Sequence, residues 1–157
     1  LERLDSVRRH AAVAMGLAAD PEAARAKPSL PRVAMLAPGR DAPLANGRRV
    51  AAAERDVTVR MISMGQPHRA VPATGALCLA VACRIPGSLA AELSGAPPGR
   101  PVRIAHASGI VLVDAAVRPD PAARGGWHCG HATLYRTARR LFEGAVLVRG
   151  AALPVAA

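Results

Sequence analysis

Apolar and polar positions change period several times along the chain, and the densest pattern lies between Val57 and Gly87. Val57, Val59, Met61 and Ser63 alternate with Thr58, Arg60 and Ile62, a period of two that predicts a strand. Gly65, Gln66, Pro67 and His68 break it. From Thr74 onward, Ala76, Leu77, Leu79, Ala80, Val81, Ala82 and Ile85 make a helix apolar nearly all round, stopped by Pro86-Gly87. A helix apolar on every face is a buried one. A sheet is therefore expected to wrap around it.

Upstream, Leu4, Val7, Ala11, Ala14 and Met15 share one side of a helix predicted over Leu1 to Leu17, with Glu2, Arg3, Arg8 and Arg9 mostly off it. Asp20 to Ser29 is polar and bounded by prolines, a loop with room for one helical turn. Arg32 to Leu36 predicts a short buried strand, and Asn46-Gly47 marks a turn in a hairpin or loop over Asp41 to Glu54. Downstream, Ala90 to Pro101 reads as a Gly/Pro-rich linker. Val102 to His106 and Ile110 to Val117 predict strands about the turn Ala107-Ser108-Gly109, and Pro119 to Gly126 a loop. His131 to Phe142 and Ala145 to Val148 read as strands, and Ala151 to Ala157 as a frayed tail. The fold class is α/β (α+β), one mixed sheet around a central helix.

Composition narrows the choices. Hydrophobic residues make up 51% of the 157 and aromatics 2%, so the core has to be built from Ala, Val, Leu and Ile. The length suits one domain with a sizeable core. The formal charge is +10, and Lys27 is the only lysine among 21 basic residues. Such a charge points first to nucleic acid. The arginines are scattered, however, and Trp127, Tyr135 and Phe142 are too few for a base-stacking surface, so no nucleic-acid partner is expected. An arginine bias of this kind follows from the coding composition of the source. Cys78, Cys83 and Cys129 form no paired framework, which suits a reducing cytoplasm. No apolar run of about 18 residues offers a membrane span, and no leader pattern is visible. The chain opens at Leu1 directly into helical pattern, as a piece of a longer polypeptide would.

Pro72-Ala73-Thr74-Gly75, which opens the central helix, is the chemically suggestive stretch. First-turn N–H groups lack intrahelical partners, and the helix dipole adds partial positive charge. With Thr74 to cap, Gly75 to admit a ligand to the backbone, and His68 and Arg69 just upstream, they suit a carboxylate or phosphate. An ordinary N-cap is the commoner use of such residues, and the residues alone leave both open. Trp127-His128-Cys129-Gly130-His131 holds potential metal ligands in a loop, without a second pair at finger spacing, so no metal site is expected. Cys78 and Cys83 read as small hydrophobes, His10 as solvated, and His106 as a turn residue, with lining a pocket beside Ser108 as the alternative. Asp114 and Glu143 are too isolated for paired-carboxylate chemistry.

Three motifs in order, SMGQPHRAVPATGALCLAVACRIPG, VRIAHASG and ATLYRTARRLFEGAVLV, resemble the C-terminal half of the 2-methylaconitate isomerase and 4-oxalomesaconate tautomerase (PrpF-like) family. That family shares the diaminopimelate-epimerase-like fold. The resemblance begins at the LERLDSVRRHAAVAMGL helix and implies two similar domains, each a mixed curved sheet around one central helix. Two helix N-termini would face the substrate across the cleft between them. Residues 1–157 would be the second domain, with Ala73 to Ile85 as its central helix. Helix 1–17 and the segment 145–157 would be placed to pair with the first domain.

The implied chemistry is cofactor-independent proton transfer that shifts or inverts the double bond of an unsaturated di- or tricarboxylate. Amides of Thr74, Gly75 and Ala76 would hold substrate carboxylates, with the Thr74 hydroxyl, His68 and Ser108 also in the site. By similarity to the epimerases, Ser63-Met64-Gly65 falls at their substrate-contacting Glu-Arg-Gly, and Pro72 at their second cysteine base. Racemisation of amino acids is therefore not expected. The proton-transferring lysine and cysteine would belong to the first domain; Lys27 matches no such motif, so no catalytic residue is assigned here. Ala107 stands where the family usually shows proline. The expectation is a substrate-binding half, inactive alone, of an enzyme that the resemblance suggests is a homodimer. The alternative is a stand-alone carboxylate-binding domain or partner subunit.

Overall fold

The computed structural model describes residues 1–145 and 147. A mixed sheet runs in the order β1 (Val33–Pro38), β4 (Val57–Ser63), β6 (Val102–His106), β7 (Gly109–Pro119), β8 (Trp127–Tyr135), with the short β5 (Gln66–Pro67) also on β4. Only β4 and β6 are parallel. A two-stranded hairpin, β2 (Ala42–Pro43) and β3 (Arg49–Val50), stands apart, its turn at Asn46-Gly47 as predicted.

The helix α2 (Ala73–Ala82) packs on this sheet, chiefly against β7 and β8. Its Ala76, Leu79 and Ala80 meet Val57 and Val59 of β4, Val102 and Ile104 of β6, and Val113 and Ala115 of β7 in one aliphatic core. Alternation along β4 puts Val57, Val59 and Met61 into that core, as the period of two requires. Helix and strand approach closely at Gly75. A Cβ there would lie within 2.7 Å of the Met61 Cε.

Several expectations are corrected. The helix α2 is not covered on every face: Thr74 and Cys78 are exposed, because α3 and the sheet flank it on two sides only. It ends at Ala82 rather than Ile85. The supposed linker contains α3 (Leu89–Ser94), whose Ser88 hydroxyl accepts the Ala91 N–H and which Gly95 ends in the left-handed conformation. Strand β1 is an edge strand with Ala34 and Met35 exposed, not a buried one. Trp127 to His131 lies in strand β8 rather than in a loop, and β8 stops at Tyr135, short of Phe142. The strand predicted over Ala145 to Val148 and the tail from Ala151 fall outside the described residues, apart from Ala145 and Leu147.

The first helix, α1 (Glu2–Ala14), turns a different side inward from the one its apolar stripe indicated. Val7 and Met15 are exposed, whereas Arg8 and Ala12 are buried. Arg8 donates to the carbonyls of Ala24, Lys27 and Leu30 at 3.1–3.2 Å and through Nε to Asp5 at 2.7 Å. The loop thus closes over the helix on polar bonds to an arginine.

The parallel β4–β6 pairing is clamped at its start by Asp56. This buried carboxylate accepts Arg103 Nη2 at 2.7 Å, Arg103 Nε at 3.2 Å and the Arg103 N–H at 2.7 Å, with Arg100 at 3.2 Å. Burial pushes the Asp56 carboxyl up, but the hydrogen bonds and charge of Arg103 outweigh that and hold it below its ordinary value.

Breaking a buried pair costs about 3 kcal/mol, so Asp56→Asn should lower stability by that order at pH 7, read from urea unfolding. A depressed carboxylate contributes above its unfolded pKa and stops contributing as pH falls through the folded value. The gap between the two proteins should therefore close as the pH is taken below about 3.9. Gly75→Ala should cost about 1–3 kcal/mol through overpacking. In a Met61→Ala background the same change should cost almost nothing.

Candidate functional site

Strand β6 ends at His106, just past its pairing with Thr58, while β4 runs on to Ser63 before the chain turns back toward α2. Ligands in open α/β sheets gather at such carboxyl ends. After Ser63 the chain turns at Met64 and Gly65, with φ of +52° and +72°, so that Ser63 pairs with Gln66. Two successive positive φ values are those of a type I′ hairpin, and Met64 occupies a conformation better suited to Asn or Gly. The His68 N–H donates to the Met61 carbonyl at 2.8 Å, and residues 69–72 lead into α2.

The N-cap of α2 is Pro72, which offers no side-chain acceptor. Thr74 therefore does not cap the helix; its hydroxyl accepts Arg32 Nη1 at 3.1 Å. The Ala76 N–H donates to the Pro72 carbonyl at 2.9 Å, and Ala76 is fully buried. It is thus removed from the expected trio of free donors. In the first turn of α2, the amides with no acceptor among the described residues are those of Ala73, Thr74 and Gly75. Gly75 is required first by the packing against Met61.

Beside this helix end lies an open cleft of about 600 Å³, lined by Ala70, Val71 and Ala73, by His106 and Ile110, and by Leu134, Tyr135 and Arg136. The Ser108 hydroxyl donates to the Arg69 carbonyl at 2.9 Å, tying the β6–β7 turn to the segment before α2. The Ser108 N–H donates to His106 Nδ1 at 3.2 Å. Burial pushes the His106 imidazole below its ordinary pKa and so favours the neutral ring.

The predicted site residues therefore fall into two groups. Thr74, Gly75 and Ser108 gather at the α2 end, whereas Ser63, Met64 and Gly65 face α1, around a recess of about 20 Å³ lined also by Leu4 and Arg8. Half-buried His68 lies on the connection between the two groups. Arg32 was not singled out beforehand, and His106 was read as a turn residue ahead of a pocket-lining one. No local pattern marks Arg32, which reaches Thr74 from 42 positions away, and His106 shows itself only once the turn is folded.

Cys78 and Cys129 are exposed; Cys83 is buried, and burial raises its thiol pKa. Among the described residues no three His, Cys, Asp or Glu side chains cluster as metal ligands, and no helix is long and apolar enough to cross a membrane.

The sequence pattern of the PrpF protein family matches residues 1–149. The chain is 34% identical over 148 residues to a 2-methyl-aconitate isomerase of Shewanella oneidensis, which is 94% of this chain and 36% of that protein. It is 32% identical over 126 residues to a (4E)-oxalomesaconate Delta-isomerase of Novosphingobium sp., 76% of this chain and 29% of the relative. The crystal structure of a methylitaconate-delta-isomerase matches with a TM-score of 0.72 at 27% identity, over 91% of this chain and 36% of that one. The chain thus spans about a third of the length of these relatives. Its sheet and central helix are those of the diaminopimelate-epimerase-like fold. By the extent of the match, this chain belongs to the PrpF family.

Proposed function

We propose that this chain is the carboxylate-binding half of an isomerase that moves or inverts the double bond of an unsaturated di- or tricarboxylate, without a cofactor. The observation that carries the reading is the α2 N-terminus. Three unpartnered amides open there; Ala73 lines the cleft beside His106, while Arg32, Thr74 and Gly75 line a separate apolar groove. The names of the relatives, isomerases of unsaturated acids, support the substrate class.

The chemistry follows from what such acids need. Removing a proton next to a carboxylate-bearing carbon spreads negative charge into a dienolate, and fixed dipoles stabilise that charge without reorganising. Amides of Ala73, Thr74 and Gly75 supply the dipoles, and Arg32 adds a full positive charge held by the Thr74 hydroxyl. The groups that take and return the proton come, in this reading, from the rest of a relative-length polypeptide, acting as a cytoplasmic homodimer. The Ser63–Gly65 turn, seated on α1, then contributes by supporting that helix or by meeting substrate from the facing domain.

The chain of residues 1–157 should turn over no 2-methylaconitate when alkene protons are followed by NMR, and turnover by it alone would overturn the division of labour. In the relative-length protein, Arg32→Ala and Thr74→Val should each raise KM about tenfold, the loss of one hydrogen bond to a charged group. An unchanged KM in both variants would remove the helix end from the site.

A further inference from the structure

The α2 end accounts for one carboxylate of a polycarboxylic acid, and the cleft beside it holds a second polar group with no assigned task. That group is His106, the last residue of β6. The walls around it at Val71, Ile110 and Leu134 are apolar. A polar side chain in such a wall needs a partner when the cleft fills.

Bookkeeping of the ring nitrogens says which partner. The Nδ1 atom accepts the Ser108 N–H, so a neutral ring carries its proton on Nε2. The Arg69 carbonyl draws the ring toward its protonated form, less strongly than burial opposes this, and it accepts the Ser108 hydroxyl; among the described residues no hydrogen bond of normal geometry joins it to His106. The Nε2–H is therefore a donor held in a fixed tautomer by its own turn. It suits an acceptor with no proton of its own. The cations here, Arg60, whose charge acts on the His106 ring, and Arg136 on the cleft wall, favour a negatively charged acceptor.

We infer that His106 is a substrate-binding residue whose Nε2–H donates to a second carboxylate of the acid held at α2, and so sets the preference for tricarboxylates over dicarboxylates. This rests on the reading of the α2 end as a carboxylate site. One carboxylate sits at the first turn of α2, and the branch carboxylate reaches the His106 ring through the cleft that Ala73 and His106 both line.

The test uses the relative-length protein and two saturated acids that cannot react, tricarballylate and glutarate, which share a five-carbon chain and differ by the central carboxylate. Calorimetry should show His106→Ala binding tricarballylate about tenfold more weakly and glutarate unchanged. His106→Gln, whose amide nitrogen lies near the Nε2 position, should recover most of the loss, whereas His106→Asn should not. A merely structural histidine would weaken both acids alike, and that result, or no change in either, overturns the inference. Arg32→Ala serves as the separate control, expected to weaken both acids. If the unmodified protein binds neither acid, the carboxylate site falls and the role of His106 falls with it. If it binds both and His106→Ala leaves tricarballylate unaffected, only the role of His106 falls.

Discussion

The candidate site depends on one short parallel pairing. Strands β4 and β6 face each other only at Val57–Ile104 and Thr58–Ala105, and everything that lies at their far ends inherits its position from that contact. A parallel pair has no connecting hairpin to hold it in register. Asp56 takes over that task, binding both the side chain and the backbone N–H of Arg103, while its own N–H donates back to the Arg103 carbonyl at 2.9 Å. A charge placed at the base of two strands thus positions the Met64 turn at the end of one and the His106 turn at the end of the other.

The second constraint is the space between α2 and β4. Glycine at position 75 lets the helix settle onto Met61, which brings its first turn down to the strand ends instead of holding it a side chain away. Packing and the candidate site meet in the same residue. On its exposed face, Arg32, Thr74, Gly75 and Cys78 line an apolar groove of about 790 Å³ together with Met15, Leu30 and Leu36.

Much of this was legible in the chain. Strand β4 follows its alternation from Val57 to Ser63, and the Val102–His106 strand was bounded correctly by the proline before it and the small residues after it. The motif resemblance favoured the α2 end as a carboxylate site, where the residues alone left an ordinary N-cap open as well. What periodicity misread shares one cause: it scores polarity, not partners. Arg8 was set on the outer face of α1 because it is charged, although the carbonyls of Ala24, Lys27 and Leu30 make it the best-satisfied group on the inner one. Thr74 looked like a cap because caps are local, whereas its actual partner, Arg32, is brought by the sheet. The short helix α3 was hidden by its flanking Gly and Pro, although Ser88 and Gly95 are the residues that start and stop it.

The arginines deserve a reading other than base composition. Arg55 reaches the Ala42 and Val50 carbonyls at 3.2 and 2.5 Å, and Arg84 joins Asp114 to the carbonyls of Pro97 and Arg100. With Arg8, each of these guanidinium groups gathers chain segments that have no strand or helix to join them. A lysine presents one compact ammonium and cannot spread its donors over separated oxygens in this way. Should the coding bias of a lineage drift toward lysine, exposed positions such as Arg3 and Arg124 are free to follow it. Positions 8, 55 and 84 are not, so across homologues they should stay arginine whatever the genome around them favours.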